Sequence, residues 1–300
     1  MIRILATPNY RFLERRYLWI TISTIVILTG VVSFVVKGGL RYSIDFTGGT
    51  LIELRFSQPV DLGRVREWIQ TAGLTDFEVS KFGEESEVIL RTQDIGVEKG
   101  EVEAFIPRLQ QAAQDVSFEV MRTESVGPKI GSELKDKAYL VVLYSLIALL
   151  IYITWRFEFK YAVAAIIALV HDVLVTLGAF SLTDREISLA IVAAVLTIIG
   201  YSLNDTIVIF DRVRENLQLH RKMPLIQILN KSVNETLSRT IITGGLALVV
   251  VVVLFIFGGE VIKDFAFAFI VGMISGVYST VYIASPIVLE WENRLRKKEA

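Results

Sequence analysis

Six long apolar stretches dominate the pattern of hydrophobic and polar positions along the chain. An α-helix needs about 20 mainly apolar residues to cross the hydrocarbon core of a membrane. The stretches that meet or approach this length are residues 17–36, 138–155, 161–180, 187–210, 240–257 and 265–289. The first is too long for a signal-peptide core and lacks an A-x-A cleavage pattern, so it is predicted to be retained. The pattern therefore predicts a polytopic membrane protein with six spanning helices.

Lysine and arginine in the segments that flank the spans predict the orientation of the chain. If the N-terminus is cytoplasmic, fifteen basic residues fall on the cytoplasmic side, whereas the two short outer loops hold only Arg185 and Lys263. Both termini are therefore predicted to be cytoplasmic. The segment between the first two spans, about 38–137, is predicted to be extracytoplasmic.

This outer segment switches between the two periods that distinguish strands from helices. The predicted elements are a strand at 50–57, a helix at 61–72, strands at 75–82 and 86–93, a helix at 98–115 and a strand at 116–123. The order β-α-β-β-α-β is that of a ferredoxin-like domain. The predicted fold class is thus an all-α six-helix membrane bundle with an inserted extracytoplasmic α+β ferredoxin-like (βαββαβ) domain. Its parts are the cytoplasmic N-terminus and first span (1–37), the α+β domain (38–137), and the other five spans with the cytoplasmic C-terminus (138–300).

Composition supports a membrane protein and removes several classes of function. Hydrophobic residues make up 53% of the 300 and charged residues 21%, whereas a soluble domain has about 25% charged residues. The chain has no cysteine and only two histidines, His171 and His220, so thiolate and histidine-rich metal sites are excluded. The net charge of −1 gives no support for nucleic-acid binding. No nucleophile–base pair or phosphate loop is visible, so we predict that the protein is not an enzyme.

Ionisable side chains within the spans are the strongest candidates for function, since such groups are costly in a membrane. Asp205 in the fourth span and Arg239 at the start of the fifth lie at comparable depth, so an ion pair is geometrically available. Burial and a nearby arginine act in opposite directions on a carboxylate, so a small movement could switch its charge. This pattern favours a proton relay, with a static ion pair as the alternative. Asn204 is a further candidate beside Asp205.

The third span carries His171 and Asp172 near its middle. Neighbouring residues on a helix point about 100° apart, so these side chains are not expected to face each other. Structural hydrogen bonding and a place in a proton path both remain open for the pair.

Small and polar residues form stripes on two spans, which is typical of helix packing rather than lipid contact. The stripe on the fourth span consists of Ala190, Ala194, Thr197, Tyr201 and Asp205. The set on the sixth span consists of Gly272, Gly276 and Thr280, with Ser275 and Ser279 beside them. Asp205 is therefore predicted to point into protein.

Glycines flank the outer domain on both sides. Adjacent Gly48 and Gly49 precede the first strand, where a tight turn or a close backbone approach is needed, and 126–131 (VGPKIG) leads into the second span. These stretches predict turns or hinges, and a swing of the outer domain relative to the membrane is the sharper hypothesis.

Several of these residues belong to runs that resemble the SecF family, the smaller half of the bacterial SecDF translocation factor. Residues 200–216 (GYSLNDTIVIFDRVREN) resemble the family signature, with Leu203 where isoleucine is expected, and 45–50 (DFTGGT) resembles the element before its outer domain. Further matches are 238–240, 258–265 and 284–286, so the resemblance covers almost the whole chain. The matching motif residues are Asp45, Phe46, Gly48, Gly49, Gly200, Tyr201, Thr206, Asp211, Arg212 and Arg214.

The resemblance implies more than the composition does. It implies half of a twelve-span assembly of the resistance-nodulation-division superfamily in the bacterial inner membrane, with SecD as the other half. The implied wider partners are the SecYEG channel, SecA, YajC or YidC, and the translocating preprotein, with no nucleic acid. The implied function is use of the proton gradient to promote preprotein translocation after the SecA-driven steps. Protons would be the coupling ion, without a cofactor, and Asp205 and Arg239 match the family's intramembrane residues tied to proton movement.

Two other functions remain open. A half-transporter of the same superfamily would export a small molecule or lipid and would need a substrate pocket. A passive assembly subunit would use its intramembrane polar residues only to hold SecD in register. In that case loss of Asp205 would break the complex rather than its energetics.

Overall fold

The computed structural model describes residues 8–95, 100–114 and 116–299 and divides into two compact units. One unit is Tyr42–Leu140, and the other consists of Met1–Arg41 with Val141–Ala300. The first holds a small sheet with its helices, and the second holds most of the long apolar helices. The chain passes between the units at residues 41–42 and 140–141.

The described part of the chain has six helical segments long and apolar enough to span a membrane, as predicted. They are Leu13–Val36, Pro128–Arg156, Phe159–Thr183, Leu189–Leu219, Leu225–Phe257 and Ile262–Leu295. As elements we label the helices α1 (Arg16–Val36), α5 (Pro128–Arg156), α6 (Phe159–Thr183), α7 (Leu189–Leu219), α8 (Leu225–Phe257), α9 (Glu260–Ser279) and α10 (Ser285–Glu299). The chain is therefore a multi-pass membrane protein.

Three of these segments form the interior and three its periphery. The apolar windows of the third, fourth and sixth segments are 44%, 50% and 56% buried, against 11%, 6% and 17% for the first, second and fifth. Helix α9 packs against α6, α7 and α8. Polar side chains that need protein partners are therefore best accommodated along α6, α7 and α9.

Helices α7 and α8 extend well beyond the predicted spans, which ended at 210 and began at 240. Their extra turns are amphipathic: Val213, Ile228, Leu229 and Val233 are buried in the core of the unit. An apolar window detects only the part of a helix that meets lipid, so these mixed-polarity turns were missed.

The last span is one continuous helix that contains a single wider turn. Helix α9 runs into a π-helical turn at Thr280–Ala284 and then into α10. Pro286 follows at the start of α10 and has no N–H to continue the α-helical pattern. The Ser285 hydroxyl donates to the Thr280 carbonyl at 3.0 Å, which satisfies one acceptor in the turn.

Glycines bring neighbouring helices into close contact. A Cβ at Gly276 would lie 2.9 Å from the Cβ of Ser202, and one at Gly272 would lie 2.5 Å from Ile198, so α9 and α7 approach closely there. Gly30 of α1 likewise faces Gly178 of α6. The stripe on the sixth span is thus a packing surface, as predicted.

The stripe on the fourth span is only partly buried. Ala194 and Asp205 are buried, but Thr197 is exposed, and Tyr201 is intermediate. At about 100° per residue the steps of 4, 3, 4 and 4 keep the five positions within an arc of about 80°, so they share one face of α7, and other helices cover that face only in part.

The smaller unit is a four-stranded sheet with two helices. Its elements are α2 (Ile44–Thr47), β1 (Gly49–Phe56), α3 (Leu62–Thr71), β2 (Phe77–Phe82), β3 (Glu84–Thr92), α4 (Glu101–Ala112) and β4 (Phe118–Val126). All neighbouring strands are antiparallel, in the order β2-β3-β1-β4. Asp61 caps α3 by accepting from the N–H groups of Gly63 and Arg64. After the short α2, the element sequence β-α-β-β-α-β is the predicted one, and of the predicted helix 98–115, residues 98, 99 and 115 lie outside the described residues.

The two glycine stretches predicted as hinges pack against each other within this unit. Gly48 and Gly49 have φ of 74° and 110°, and a Cβ at Gly48 would lie 2.7 Å from Pro128 Cα. A Cβ at Gly131 would lie 2.9 Å from the Gly48 nitrogen. The stretches form one tight backbone junction between α2, β1 and the start of α5, rather than two separate flexible points.

Candidate functional site

A buried carboxylate of α6 collects hydroxyl groups from two other helices. The hydroxyls of Ser202 and Ser279 donate to Asp172 Oδ2 at 2.7 and 2.8 Å, and that of Ser275 donates to Oδ1 at 2.6 Å. Asp172 is 1% exposed. The carboxylate therefore ties α7 and α9 to α6 in the interior of the membrane unit.

The imidazole of His171 extends this network toward α1. Its Nδ1 lies 3.1 Å from Asp172 Oδ1, and its Nε2 lies 3.1 Å from Ser23 Oγ. The Ser23 hydroxyl donates to the Tyr278 hydroxyl at 2.9 Å, which donates to the Trp19 carbonyl at 2.6 Å. The Tyr278 ring also stacks on the imidazole with centroids 5.9 Å apart. We call His171, Asp172 and the groups bonded to them the Asp172 network.

The expectation that His171 and Asp172 do not face each other was wrong. The angular argument places the two Cβ atoms but ignores the length and rotation of the side chains. The imidazole ring reaches sideways far enough for Nδ1 to meet its neighbour's carboxylate. Packing of Tyr278 against the ring stabilises this arrangement.

Asp205 has a different environment. It is 4% exposed, and the Thr240 hydroxyl of α8 lies within hydrogen-bonding reach of its carboxylate. Its Oδ2, however, is buried without a hydrogen-bond partner among the described residues, and so is the hydroxyl of Tyr201, one turn earlier on α7. A buried carboxylate oxygen without a partner is costly, which makes Asp205 a candidate for binding a proton.

Arg239 does not form the ion pair with Asp205 that the sequence suggested. Its side chain is exposed on α8, and no ion pair within the described residues joins it to Asp205, although its charge acts on that carboxylate. The neighbouring Thr240 is the residue that turns toward Asp205. Asn204 is also exposed, on a different face of α7 from Asp205.

Three other motif residues of α7, Thr206, Asp211 and Arg212, contact neighbouring helices, whereas Gly200 does not among the described residues. The Thr206 hydroxyl meets that of Thr280 at 2.8 Å, and Gly200 has open space around it in the described structure. At the end of the motif, Asp211 pairs with Arg156 at 2.9 Å, and Arg212 bonds Glu235 at 2.6 Å.

The remaining motif residues are Arg214, which is exposed, and those around the tight junction of the smaller unit. Phe46 is buried there, and Asp45 lies in the first turn of α2 next to Gly48 and Gly49. The motif residues are therefore distributed over both units.

Sequence reasoning missed Ser23, Ser202 and Tyr278 as parts of the candidate site. Ser202 lies inside the 200–216 motif, three residues before Asp205 on the same helix, so the sequence did carry a signal for it. Ser23 and Tyr278 gave no comparable signal, because single hydroxyl groups are common in membrane helices and their partners come from distant parts of the chain.

Two family models match the chain. The model described as "Protein export membrane protein SecD/SecF, C-terminal" matches residues 107–294, and the "SecD/SecF GG Motif" model matches residues 32–60. The second match contains Gly48 and Gly49 of the backbone junction, and the first contains Gly131, Asp172 and Asp205.

Curated relatives match over nearly their full length. The chain is 44% identical over 289 residues to the protein translocase subunit SecF of Desulfurispirillum indicum, covering 94% of this chain and 92% of the relative. It is 45% identical over 285 residues to that of Calditerrivibrio nitroreducens, with 93% of each chain covered.

Two solved structures are similar to the chain. One is SecDF, a translocon-associated membrane protein, from Thermus thermophilus, with a TM-score of 0.86, 35% identity and 95% of this chain covered. The other is SecDF in a super-membrane-facing form, with a TM-score of 0.71, 34% identity and 98% of this chain covered. The chain spans about two fifths of each SecDF chain (39% and 40%).

Proposed function

Since this chain belongs to the SecF family of protein translocase subunits, we propose that it works with SecD to couple proton movement to preprotein translocation. The likeness to single-chain SecDF structures, of which this chain spans about two fifths, supports SecD as the other membrane half. SecYEG and SecA, with YajC or YidC in a wider complex, complete the proposed assembly in the inner membrane. Both termini are cytoplasmic in this proposal, and the smaller unit is extracytoplasmic.

The observation that carries the proposal is the buried Asp205 oxygen without a hydrogen-bond partner among the described residues. A proton on this oxygen would remove the charge of a buried carboxylate, which is its least favourable feature in a membrane. Arg239 is exposed on the neighbouring helix and cannot lose its proton, so it acts as an electrostatic gate rather than a carrier. Asn204 is exposed on α7, which supports a place for it on the surface that would meet SecD.

The proposed cycle has two states. When Asp205 is charged, it attracts Arg239; when a proton from outside neutralises it, that attraction weakens and α7 and α8 can repack. Moving one charge across 100 mV supplies about 2.3 kcal/mol, enough to bias a two-state arrangement. The lower TM-score of the super-membrane-facing form, at nearly the same identity, supports more than one arrangement within the family.

We class the smaller unit as ferredoxin-like. In the order β2-β3-β1-β4 with antiparallel neighbours, each helix connects two parallel strands that have one strand between them, which supports this class. In the proposed cycle this domain moves with the backbone junction at Gly48 and Gly131 as a rigid base. The pivot would then lie outside the two glycine stretches, because their close packing leaves them little freedom.

The test is translocation of a preprotein into inverted vesicles that contain SecYEG, SecA, SecD and this chain, with and without a proton gradient. Asp205→Asn should abolish the stimulation by the gradient while the SecD complex still co-purifies. Asp136→Asn makes the same chemical change at an exposed position and should keep full stimulation.

Each alternative gives its own result in this assay. Full stimulation with Asp205→Asn would contradict the proposed role of Asp205. Loss of the SecD complex would favour the passive assembly subunit. Protection of the chain by an exported small molecule, with no effect on preprotein, would favour the half-transporter.

A further inference from the structure

The hydroxyl chain beside His171 has a fixed direction. A carbonyl oxygen can only accept hydrogen bonds, so the single proton of the Tyr278 hydroxyl must point to the Trp19 carbonyl, 2.6 Å away. The Tyr278 oxygen can then only accept from Ser23, at 2.9 Å. The Ser23 proton is thereby used, and its oxygen faces His171 Nε2 as an acceptor.

This direction determines what Nε2 must carry. At 3.1 Å from an oxygen that has no proton to offer, Nε2 forms a hydrogen bond only if it is itself protonated. A neutral histidine protonated at Nε2 would place the bare Nδ1 against Asp172 Oδ1, also at 3.1 Å. Two lone pairs would then face each other in a buried site, so a proton must lie between Nδ1 and Oδ1.

The surroundings of Asp172 decide on which atom that proton lies. Three serine hydroxyls donate to this carboxylate, two to Oδ2 and one to Oδ1. Hydrogen bonds of this kind stabilise the ionised form of a carboxyl group. The imidazole, in contrast, has a hydrogen-bond acceptor at each of its two nitrogens.

We infer that the Asp172 network is a proton-binding site that holds a doubly protonated His171 against an ionised Asp172. The pair is neutral as a whole, which makes it tolerable in the membrane interior. Other titratable groups on the helices packed against the network are Tyr278 and Tyr282 of the sixth span and Tyr201 and Asp205 of α7. Among the described residues, α1 contributes the uncharged Ser23 hydroxyl and the Trp19 carbonyl to the network.

This inference deepens the proposed proton pathway and rests on it for physiological meaning. It adds to Asp205 a second proton site, in which the direction of the Ser23 and Tyr278 hydroxyls holds the proton on Nε2. The charge state itself is a property of the folded chain and is measured without translocation, so failure of either idea is distinguishable from failure of the other.

The direct test is nitrogen NMR of the full-length chain in lipid bilayers, labelled at histidine. The chain has only two histidines, so His220→Gln assigns the signals. Both ring nitrogens of His171 should be protonated at neutral pH. One unprotonated His171 nitrogen under these conditions would overturn the inference.

A variant tests the hydroxyl chain. In Tyr278→Phe the Ser23 proton loses its acceptor and can turn to Nε2, so His171 should lose one of its two N–H signals at neutral pH. Tyr282→Phe is the matched control, because this neighbouring ring packs 5.2 Å from Tyr278 and leaves the network intact. A doubly protonated His171 in Tyr278→Phe would contradict the role of the hydroxyls.

Infrared spectroscopy tests the carboxylate. The difference spectrum between the wild type and Asp172→Asn should show the loss of a carboxylate band and of no carboxylic-acid band. Loss of an acid band would place the proton on Asp172 and overturn the assignment to His171.

Discussion

The two buried aspartates of the membrane unit are 4% exposed or less, yet their surroundings differ. Asp172 receives three hydroxyl groups from α7 and α9 and contacts the imidazole of its neighbour His171. Asp205 has one oxygen without a hydrogen-bond partner among the described residues, and the nearby arginine is exposed on α8. Asp172 faces serines of α7 and α9, whereas Asp205 lies near Thr240 of α8, whose apolar window is only 17% buried.

This difference teaches that burial alone does not identify the group that changes its charge. A carboxylate with all its acceptors satisfied resists change, because every hydrogen bond would have to be remade. One with an open acceptor exchanges a proton at lower cost. In the proposed cycle, Asp172 is therefore the fixed site and Asp205 the one that exchanges a proton.

The largest expected effect is a difference between Asp172 and Asp205 in their contribution to the free energy of unfolding. Asp172→Ala should lower the free energy of unfolding by about 3–5 kcal/mol, because it leaves a buried histidine and three serine hydroxyls without their partner. Asp205→Asn should change it by less than about 1 kcal/mol, because one oxygen is already without a partner. Thermal unfolding of both variants in the same detergent checks this order, and equal losses would contradict the comparison.

The next effect concerns the packing that holds the Asp172 network together. Gly276→Ala would place a Cβ 2.9 Å from that of Ser202, one of the three donors, and should cost about 1–3 kcal/mol. Gly200→Ala is the matched control on α7, since a Cβ there has open space among the described atoms. The two thermal midpoints give the answer; a tolerated Gly276→Ala would show that the helices separate easily.

A smaller effect tests whether each of the three hydroxyl donors contributes part of the stability of the Asp172 network. Ser279→Ala removes one of two hydroxyls on Asp172 Oδ2 and should cost about 0.5–1.5 kcal/mol, because Ser202 still donates to the same oxygen. Ser132→Ala removes an exposed hydroxyl bonded only to its own helix and serves as the control. If Ser279→Ala lowered the free energy of unfolding as much as Asp172→Ala, Ser279 alone would account for the stability of the network.

The smallest effect comes from a third aspartate, which lies outside the membrane spans. Arg41, and then Lys37, hold the pKa of Asp184 below its usual range, against the opposing effect of burial. A lowered pKa means that the pair stabilises the fold above the ordinary aspartate range and that this contribution is lost as the pH falls through the folded pKa. Because Asp184 is 54% exposed, the loss should be below about 1 kcal/mol.

Thermal midpoints of the wild type and Asp184→Asn, compared from neutral to acidic pH, measure this contribution. Asparagine suits the left-handed conformation at this position, where φ is 58°. The variant should be less stable at neutral pH, and the difference should vanish in acid. A difference that persists in acid would assign the effect to the backbone and not to the ion pairs.

The sequence predicted the elements whose residues signal their own environment. The alternation in 50–57 became β1 at Gly49–Phe56, and Asp61 became the cap of α3, because both depend on neighbouring residues. The six spans followed for the same reason. The amphipathic ends of α7 and α8 were missed, since their burial depends on which helices they meet.

The candidate site was predicted in part. Asp205, Arg239, His171 and Asp172 were identified because a charge within an apolar run stands out. Which of them pair was not predictable. Asp205 and Arg239 do not form the expected ion pair, whereas His171 contacts Asp172.

By itself, the sequence determined the number of spans, the elements of the smaller unit and the family of the chain. These follow from local periodicity and from residue runs that are read directly. Only the tertiary structure decided that both oxygens of Asp172 have hydrogen-bond partners and that one oxygen of Asp205 has none among the described residues. The donors to Asp172 lie 30 to 107 positions away in the chain, and only helix packing brings them to it.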